Sequence, residues 1–289
     1  MPHYVFSKGG GLKKLKPTLL LTGGAGFVGH HLVEGILKQT DWNVIILDSL
    51  NYAGNLNRLT DIEIFEREKA RVKFVFHDLR AEISETTHKM IGEVDYVWHL
   101  SSETSVDKSL QDSRPFVLSN VLGTANLLEY LRKYQPNLKK YIGFNTDECF
   151  GPVLEEGVYK TETDKFYPSN PYAASKAGQW CLEYSFAHAF GMPIVMCHSM
   201  NLIGERQHAE KFVPKTVKAL LEGEKVILHQ SNGRFSSRCW IHAREVLNAL
   251  LFLTEKGEPK ETYNIVGQEK TVFEIANLIC QIINERGLL

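Results

Sequence analysis

The feature that most narrows the fold of this chain is a glycine turn set between a strand-length apolar run and a helical one. Residues 19–21 (Leu-Leu-Leu) run into Thr22-Gly23-Gly24-Ala25-Gly26-Phe27-Val28-Gly29, and residues 27–38 continue with helical period. Glycine at these places permits a tight turn, lets backbone N–H groups approach a pyrophosphate, and allows the helix to pack closely on the strand. A glycine triplet alone is weak evidence. Here the flanking strand and helix match, and Asp48 closes the next apolar run about twenty residues on, where an acid can bind the adenosine ribose hydroxyls. A 2′-phosphate would meet a like charge there, so the acid favours NAD over NADP.

Beyond the turn, short apolar runs at 19–21, 44–47, 72–76, 94–98 and 141–144 alternate with helical segments at 27–38, 80–91, 115–133 and 171–190. That alternation predicts an α/β fold, a Rossmann-type doubly wound parallel sheet with helices on both faces. After Gly191 the pieces shorten: 193–197, a helix at 214–222, an apolar piece at 226–229, a helix at 243–255, a strand at 263–266 and a helix at 272–284. The division expected is a flexible tail over 1–16, an NAD-binding domain carrying the catalytic residues over 17–191, and a smaller α/β region over 192–289, mainly for substrate. No Gly/Ser/Pro linker separates the two halves, so they are expected to pack as one unit.

Charge and cysteine usage narrow the function classes. Thirty-three Lys and Arg face 34 Asp and Glu, a net charge of -1, which lacks the basic surplus a nucleic-acid partner requires. Apolar runs are strand-sized and too short to cross a membrane. Cysteines at 149, 181, 197, 239 and 280 are odd in number and form no CxxC pair, which points to a reducing cytoplasm rather than a disulfide or zinc framework. No metal is expected either, since the adjacent His30 and His31 diverge on a helix. Cys149 has no basic partner in its motif and reads as structural.

Two constellations carry chemistry. Tyr172 and Lys176 are four residues apart at the start of a helix, on one face. A phenol is a poor base near neutrality, but a nearby ammonium stabilises the phenolate, so Tyr172 can take a proton from a sugar hydroxyl. The run at 141–144 ends in Thr146-Asp147-Glu148, at the carboxyl end of a strand, where open α/β sheets bind ligands. Paired acids serve when one must donate a proton and the other accept one.

GxxGxxG followed by YxxxK resembles the extended short-chain dehydrogenase/reductases. The resemblance sharpens to the nucleotide-sugar 4,6-dehydratases of the dTDP-glucose 4,6-dehydratase type through 48–54 (DSLNYAG), 99–109 (HLSSETSVDKS), 120–129 (NVLGTANLLE), the Thr-Asp-Glu triplet, 168–177 (PSNPYAASKA), 210–214 (EKFVP), Arg238 with Trp240, and Tyr263-Asn264-Ile265. It implies a lyase in deoxysugar biosynthesis that converts a nucleoside-diphosphate-glucose to the 4-keto-6-deoxyhexose. Tyr172, with Lys176, would act at the C4 hydroxyl, Thr146 would bond the sugar near C4, Glu148 would remove the C5 proton, and Asp147 would protonate the departing C6 hydroxyl. Gly23, Gly26, Phe27, Val28, Gly29, Asp48, Asn51, Asp78, Leu79, Leu100, Ser102 and Thr104 would surround NAD together with Tyr172 and Lys176. Thr104, Thr146, Asn201, Lys211, Phe212 and Arg238 would hold the substrate, Arg238 by the forked donors that suit phosphate oxygens.

By the same resemblance, the helices near 115–133 and 171–190 would form a homodimer. The family usually has His at Ser105 and Arg at Lys108, which bears on local substrate contacts. It also continues past Tyr263-Asn264-Ile265 with a basic, histidine-containing segment, so a shortened version or a fragment, with weaker nucleotide affinity, is expected. Rival readings are a 4-epimerase or decarboxylase with the same NAD and Tyr-Lys apparatus, or a non-catalytic NAD-binding relative. Thymine, uracil and cytosine all remain open as the substrate's base.

Overall fold

The structure is a computed structural model that describes residues 4–6, 12–14, 16–51, 53–153, 157–231 and 233–288. Within the segment expected as a tail, β1 (Tyr4–Phe6) and β2 (Leu12–Lys14) pair antiparallel. The main sheet contains β3 (Thr18–Thr22), β4 (Asn43–Asp48), β5 (Val72–Phe76), β6 (Tyr96–His99), β7 (Lys140–Thr146) and β8 (Ile194–Ser199). A smaller sheet holds β9 (Asn201–Ile203) and β12 (Ser237–His242), and β10 (Gln230–Ser231) pairs with β11 (Arg234–Phe235). Finally β13 (Thr262–Ile265) completes the main sheet and β14 (Gln268–Thr271) the smaller one.

The seven strands of the main sheet lie in the order β13-β8-β7-β6-β3-β4-β5, all parallel. Leu19 to Leu21 and Val44 to Leu47 are buried without alternation, as strands covered on both faces must be. The chain lays β3, β4 and β5 in one direction, then returns to place β6 on the other side of β3. Their carboxyl ends diverge at this reversal, which is where a doubly wound sheet opens a crevice for ligands. The turn after β3 and the loop after β6 meet there: a Cβ on Gly23 would come within 3.0 Å of the Ser101 nitrogen.

Two apolar clusters cover the sheet. One joins the Phe27–Gln39 helix (Leu32, Val33, Ile36) to the Ala243–Lys256 helix (Val246, Leu250) over Trp98. The other packs Leu127, Leu128 and Leu131 on Val97, Ile194 and Met196. The buried Trp98 indole donates to Thr254 Oγ1 at 2.9 Å, so its one polar atom is satisfied. Truncating any of these fully buried leucines to alanine removes about 2–5 kcal/mol.

Several segments depart from the sequence expectations. The helix expected over 80–91 begins only at Glu85, because Ser84 accepts from the Thr87 N–H as an N-cap, while residues 78–81 form a turn with Arg80 N–H on Asp78 Oδ1. The helix expected over 115–133 is interrupted by a π-helical turn, Val117–Leu122, ahead of Gly123–Tyr134. Residues 226–229 form no strand, and the short pair β10–β11 follows them instead. Strands β9, β12 and β14 have no counterpart in the expectation.

Candidate functional site

A cleft of about 330 Å³ runs along the carboxyl ends of the main sheet. Of the residues singled out from sequence, Gly23, Gly26, Phe27, Val28, Gly29, Asp48, Asn51, Asp78, Leu79, Leu100, Ser102, Thr104, Thr146, Asp147, Glu148, Tyr172, Lys176, Asn201 and Lys211 line it. Phe212 and Arg238 do not. Phe212 opens its helix beside Trp240, ring centroids 6.0 Å apart, and Arg238 stands exposed on β12, donating to the Ser237 carbonyl.

At one end of the cleft the glycine turn is built by close approach. Gly26 N–H donates to the Gly23 carbonyl at 3.1 Å, Gly23 has φ +72°, and a Cβ on Gly29 would collide with that same carbonyl. The helix that follows starts with no side-chain cap and no acid in its first turn. Its N–H groups and positive end are therefore left for an anion, which fits the pyrophosphate of a dinucleotide. Asp48 is buried beside the turn, Oδ2 accepting from Ala25 N–H at 3.0 Å and Oδ1 from Leu50 N–H at 2.8 Å. Burial raises its pKa and those two N–H groups oppose the rise. Each oxygen keeps a lone pair for a ribose hydroxyl.

At the other end stand the acids. The Thr146 hydroxyl accepts from Glu148 N–H at 3.4 Å and donates to Asp147 Oδ1 at 3.3 Å. Burial, and then the adjacent Glu148 charge, push Asp147 up to about 6, so it holds a proton far more readily than a free aspartate. Glu148 Oε2 accepts from Asn170 Nδ2 at 3.1 Å. The same Asn170 caps the Pro171–Ala189 helix, its Oδ1 accepting from Ala173 N–H at 2.8 Å. One side chain thus ties the orientation of Glu148 to the helix that carries Tyr172 and Lys176.

Tyr172 is buried in the first turn of that helix, and burial and the neighbouring carboxylates raise its pKa, with Thr146 opposing the rise. Lys176 is 2% exposed and donates to the Phe144 carbonyl at 2.8 Å and to Gln179 Oε1. The helix is fixed from the side by the π-helical turn. Asn120, fully buried there, donates to Ser175 Oγ at 2.8 Å, and Ser175 Oγ donates to the Tyr172 carbonyl at 2.7 Å. His99 bridges Thr22 and Thr124 on either side of β6, and burial brings it down to about 3, so it is a neutral strut.

The two positions that differ from the family pattern do not line the cleft, and Ser105 is buried. Ser105 caps the Val106–Gln111 helix, and Lys108 pairs with Glu210 at 3.3 Å, while Lys211 Nζ donates to the Thr104 carbonyl at 2.9 Å. Glu210 and Lys211, both lining the cleft, are thereby tied to residues 104–108. Cys149 is buried, its thiol pushed up to about 12 by burial. The cleft also takes in Glu103, which lies within the segment 99–109 without being singled out by it, and Arg58, Asn145 and Gln207, which carry no motif of their own and are marked only by nearness in sequence to residues that do.

A family model described as GDP-mannose 4,6 dehydratase matches residues 20–287. The dTDP-glucose 4,6-dehydratase of Salmonella typhimurium is 33% identical over 285 residues, covering 92% of this chain and 77% of the relative. Among solved structures, dTDP-glucose 4,6-dehydratase from Bacillus anthracis in complex with NAD superposes with a TM-score of 0.81 at 30% identity, over 93% of this chain and 81% of that one. A double mutant of the Streptomyces venezuelae dTDP-glucose 4,6-dehydratase, with NAD bound, gives 0.83 at 29% identity, over 92% and 81%.

Proposed function

Because the chain belongs to the GDP-mannose 4,6 dehydratase family, we propose that the phenol, the ammonium and the paired acids of its cleft divide one dehydration among them. The reaction is NAD-dependent removal of water from a nucleoside-diphosphate-glucose, giving the 4-keto-6-deoxy sugar. NAD supplies a reversible hydride acceptor, so the reaction has no net oxidation.

The observation that carries the division of labour is the meeting of Thr146-Asp147-Glu148, at the end of β7, with Tyr172 and Lys176 in one cleft. Tyr172 takes the proton of the sugar C4 hydroxyl, with Lys176 one helical turn away to stabilise the phenolate. The C4 ketone acidifies the C5 proton, which Glu148 accepts from its tether on Asn170. Asp147, whose protonated form burial favours, delivers its proton to the C6 hydroxyl as that leaves. Thr146 bonds the sugar near C4, and Asn201, Lys211 and Thr104 hold the substrate from the opposite wall. Arg238 and Phe212 approach from outside the lining, and the Arg238 charge is close enough to lower the Asp147 pKa.

We assign residues 17–191 to the cofactor and the chemistry, and 192–289 mainly to the sugar nucleotide. Val117, Leu118 and Leu122 on one helix and Tyr184 on its neighbour are exposed apolar side chains, which support a homodimer through these helices. Five free cysteines support a cytoplasmic setting, and no described helix is long and apolar enough to cross a membrane. Incubation with NAD and, separately, dTDP-, UDP- and CDP-glucose, followed by mass spectrometry, tests the reading. Loss of one water from one donor is expected, with dTDP-glucose first. Donors that stay intact, or return only as the 4-epimer, would overturn it.

A further inference from the structure

Beneath the Tyr172–Lys176 pair lies a carboxylate that the dehydration does not use. Glu183 is fully buried, two helical turns beyond Lys176 on the same helix. Its Oε1 accepts from the Tyr141 hydroxyl and from Gln179 Nε2, each at 2.9 Å, and its Oε2 accepts from Asn145 Nδ2 at 2.8 Å. Gln179 Oε1 in turn accepts from Lys176 Nζ. One amide therefore bridges ammonium and carboxylate, and its orientation is fixed from both ends. Burial raises the Glu183 pKa, and the three donors that converge on it, with Lys176 beyond, oppose that rise by favouring the ionised form.

The sheet is shaped to receive this group. A Cβ on Gly143, in the middle of β7, would overlap the Glu183 carboxyl. A glycine inside a buried strand weakens it, and a close approach of another group is the usual reason for one. The other groups facing the ammonium carry no charge. Cys149 and Cys197 are held as thiols by burial, and His99 and His198 are brought down to about 3 and about 4 by burial. Burial takes Lys176 itself down to about 8, and the leading influence in the opposite direction is Glu183.

We propose that Glu183 is a positioning residue for the reaction: a buried counter-charge that, through Gln179, keeps Lys176 an ammonium and turns its remaining proton toward Tyr172 and the cleft. This rests on the reading of Lys176 as the partner of Tyr172. It adds an element that neither the glycine turn nor the Tyr-Lys motif contains, a charge stored on the far side of the motif from the ligand.

The test is the titration of Lys176 by NMR on protein labelled at lysine Cε, with the resonance assigned by Lys176→Arg. Glu183→Gln is close to isosteric, and Asn145 Oδ1 has no partner, so its amide can turn to accept from the new N–H₂. The midpoint of Lys176 is expected to fall by about one unit or more in Glu183→Gln and to stay near the native value in Glu183→Asp, which keeps the charge. A Glu183→Gln midpoint within about 0.3 units of native, well inside the shift a lost buried counter-charge gives, overturns the proposal. If Glu183→Gln does not fold, Gln179→Met severs the bridge instead, and an unmoved midpoint there has the same force. In turnover, Glu183→Gln is expected to lose about tenfold in kcat on the alkaline side with KM unchanged, where a merely structural role would lower kcat equally at every pH. Native protein that titrates as expected but releases no water would sink the dehydratase reading and leave the Glu183–Lys176 coupling standing.

Discussion

The two ends of the cleft are made of different material. Around the glycine turn the working parts are backbone N–H groups, a helix terminus and the absence of side chains, with Asp48 as the acid bonded to the turn. At the end of β7 they are side chains that gain and lose protons, each held by a neighbour: Glu148 by Asn170, Asp147 by Thr146, Lys176 by Gln179. The first end works by shape and fails by collision. The second works by charge, so its failures depend on pH and leave the shape intact.

The sharpest way to break this contrast is Gly29→Ala. The new methyl group has no room against the Gly23 carbonyl, so NAD affinity is expected to fall at least about 100-fold by calorimetry, at every pH alike. Tyr172→Phe should do the opposite. NAD binding stays within about twofold while kcat falls about 10³-fold, within the range for a lost acid–base group. Equal losses of binding and turnover in both variants would erase the distinction.

Asp147→Asn sharpens it by separating steps and by pH. C4 oxidation should persist while loss of water slows about 100-fold, seen as accumulation of an oxidised, unreleased sugar in rapid-quench samples. The sign of its effect on stability is also set. The folded-state value, about 6, lies above the unfolded one, so the Asp147 contribution is present in acid and lost as pH rises through 6. The asparagine variant should therefore melt about 2 °C above the native protein at pH 8, with the gain shrinking at pH 5, a modest figure because the group is partly solvated. The smallest effect is expected of Asn170→Ala. Loss of the N-cap costs about 1 kcal/mol in denaturant unfolding, and the freed Glu148 lowers kcat about tenfold without touching NAD affinity.

What was legible in the sequence follows the same division. The glycine turn, Asp48, Tyr172, Lys176 and the acid pair were visible because each needs a fixed residue type at a fixed local spacing. Strands β9, β12 and β14 were not, since NLI, SRCWIH and QEKT are short, partly exposed and lack strict alternation. The helix start at Ser84 could have been read from Ser-Glu-Thr-Thr, where a hydroxyl precedes the first turn. Of the supports of the helix that carries Tyr172, Asn120 stands in the family-like segment 120–129 but its partner Ser175 is distant in sequence, and Glu183 bears no motif, its partners Tyr141 and Asn145 being distant too. Gly143 within an otherwise apolar run was the one local sign, together with Gln179 and Glu183 recurring at helical spacing from Lys176.

The sheet order has a further consequence during synthesis. β7 finds its outer neighbour only when β8 has been made, about fifty residues later, and β8 waits for β13, more than sixty residues beyond that. While the ribosome works through that stretch, an edge formed by the apolar segments YIGF and then IVMC offers unpaired N–H and C=O groups to any other nascent chain. The acids of the cleft sit at the end of that edge, so the site matures late in translation. Shielding that edge over the window lowers the chance of such pairing, whatever the stability of the finished sheet.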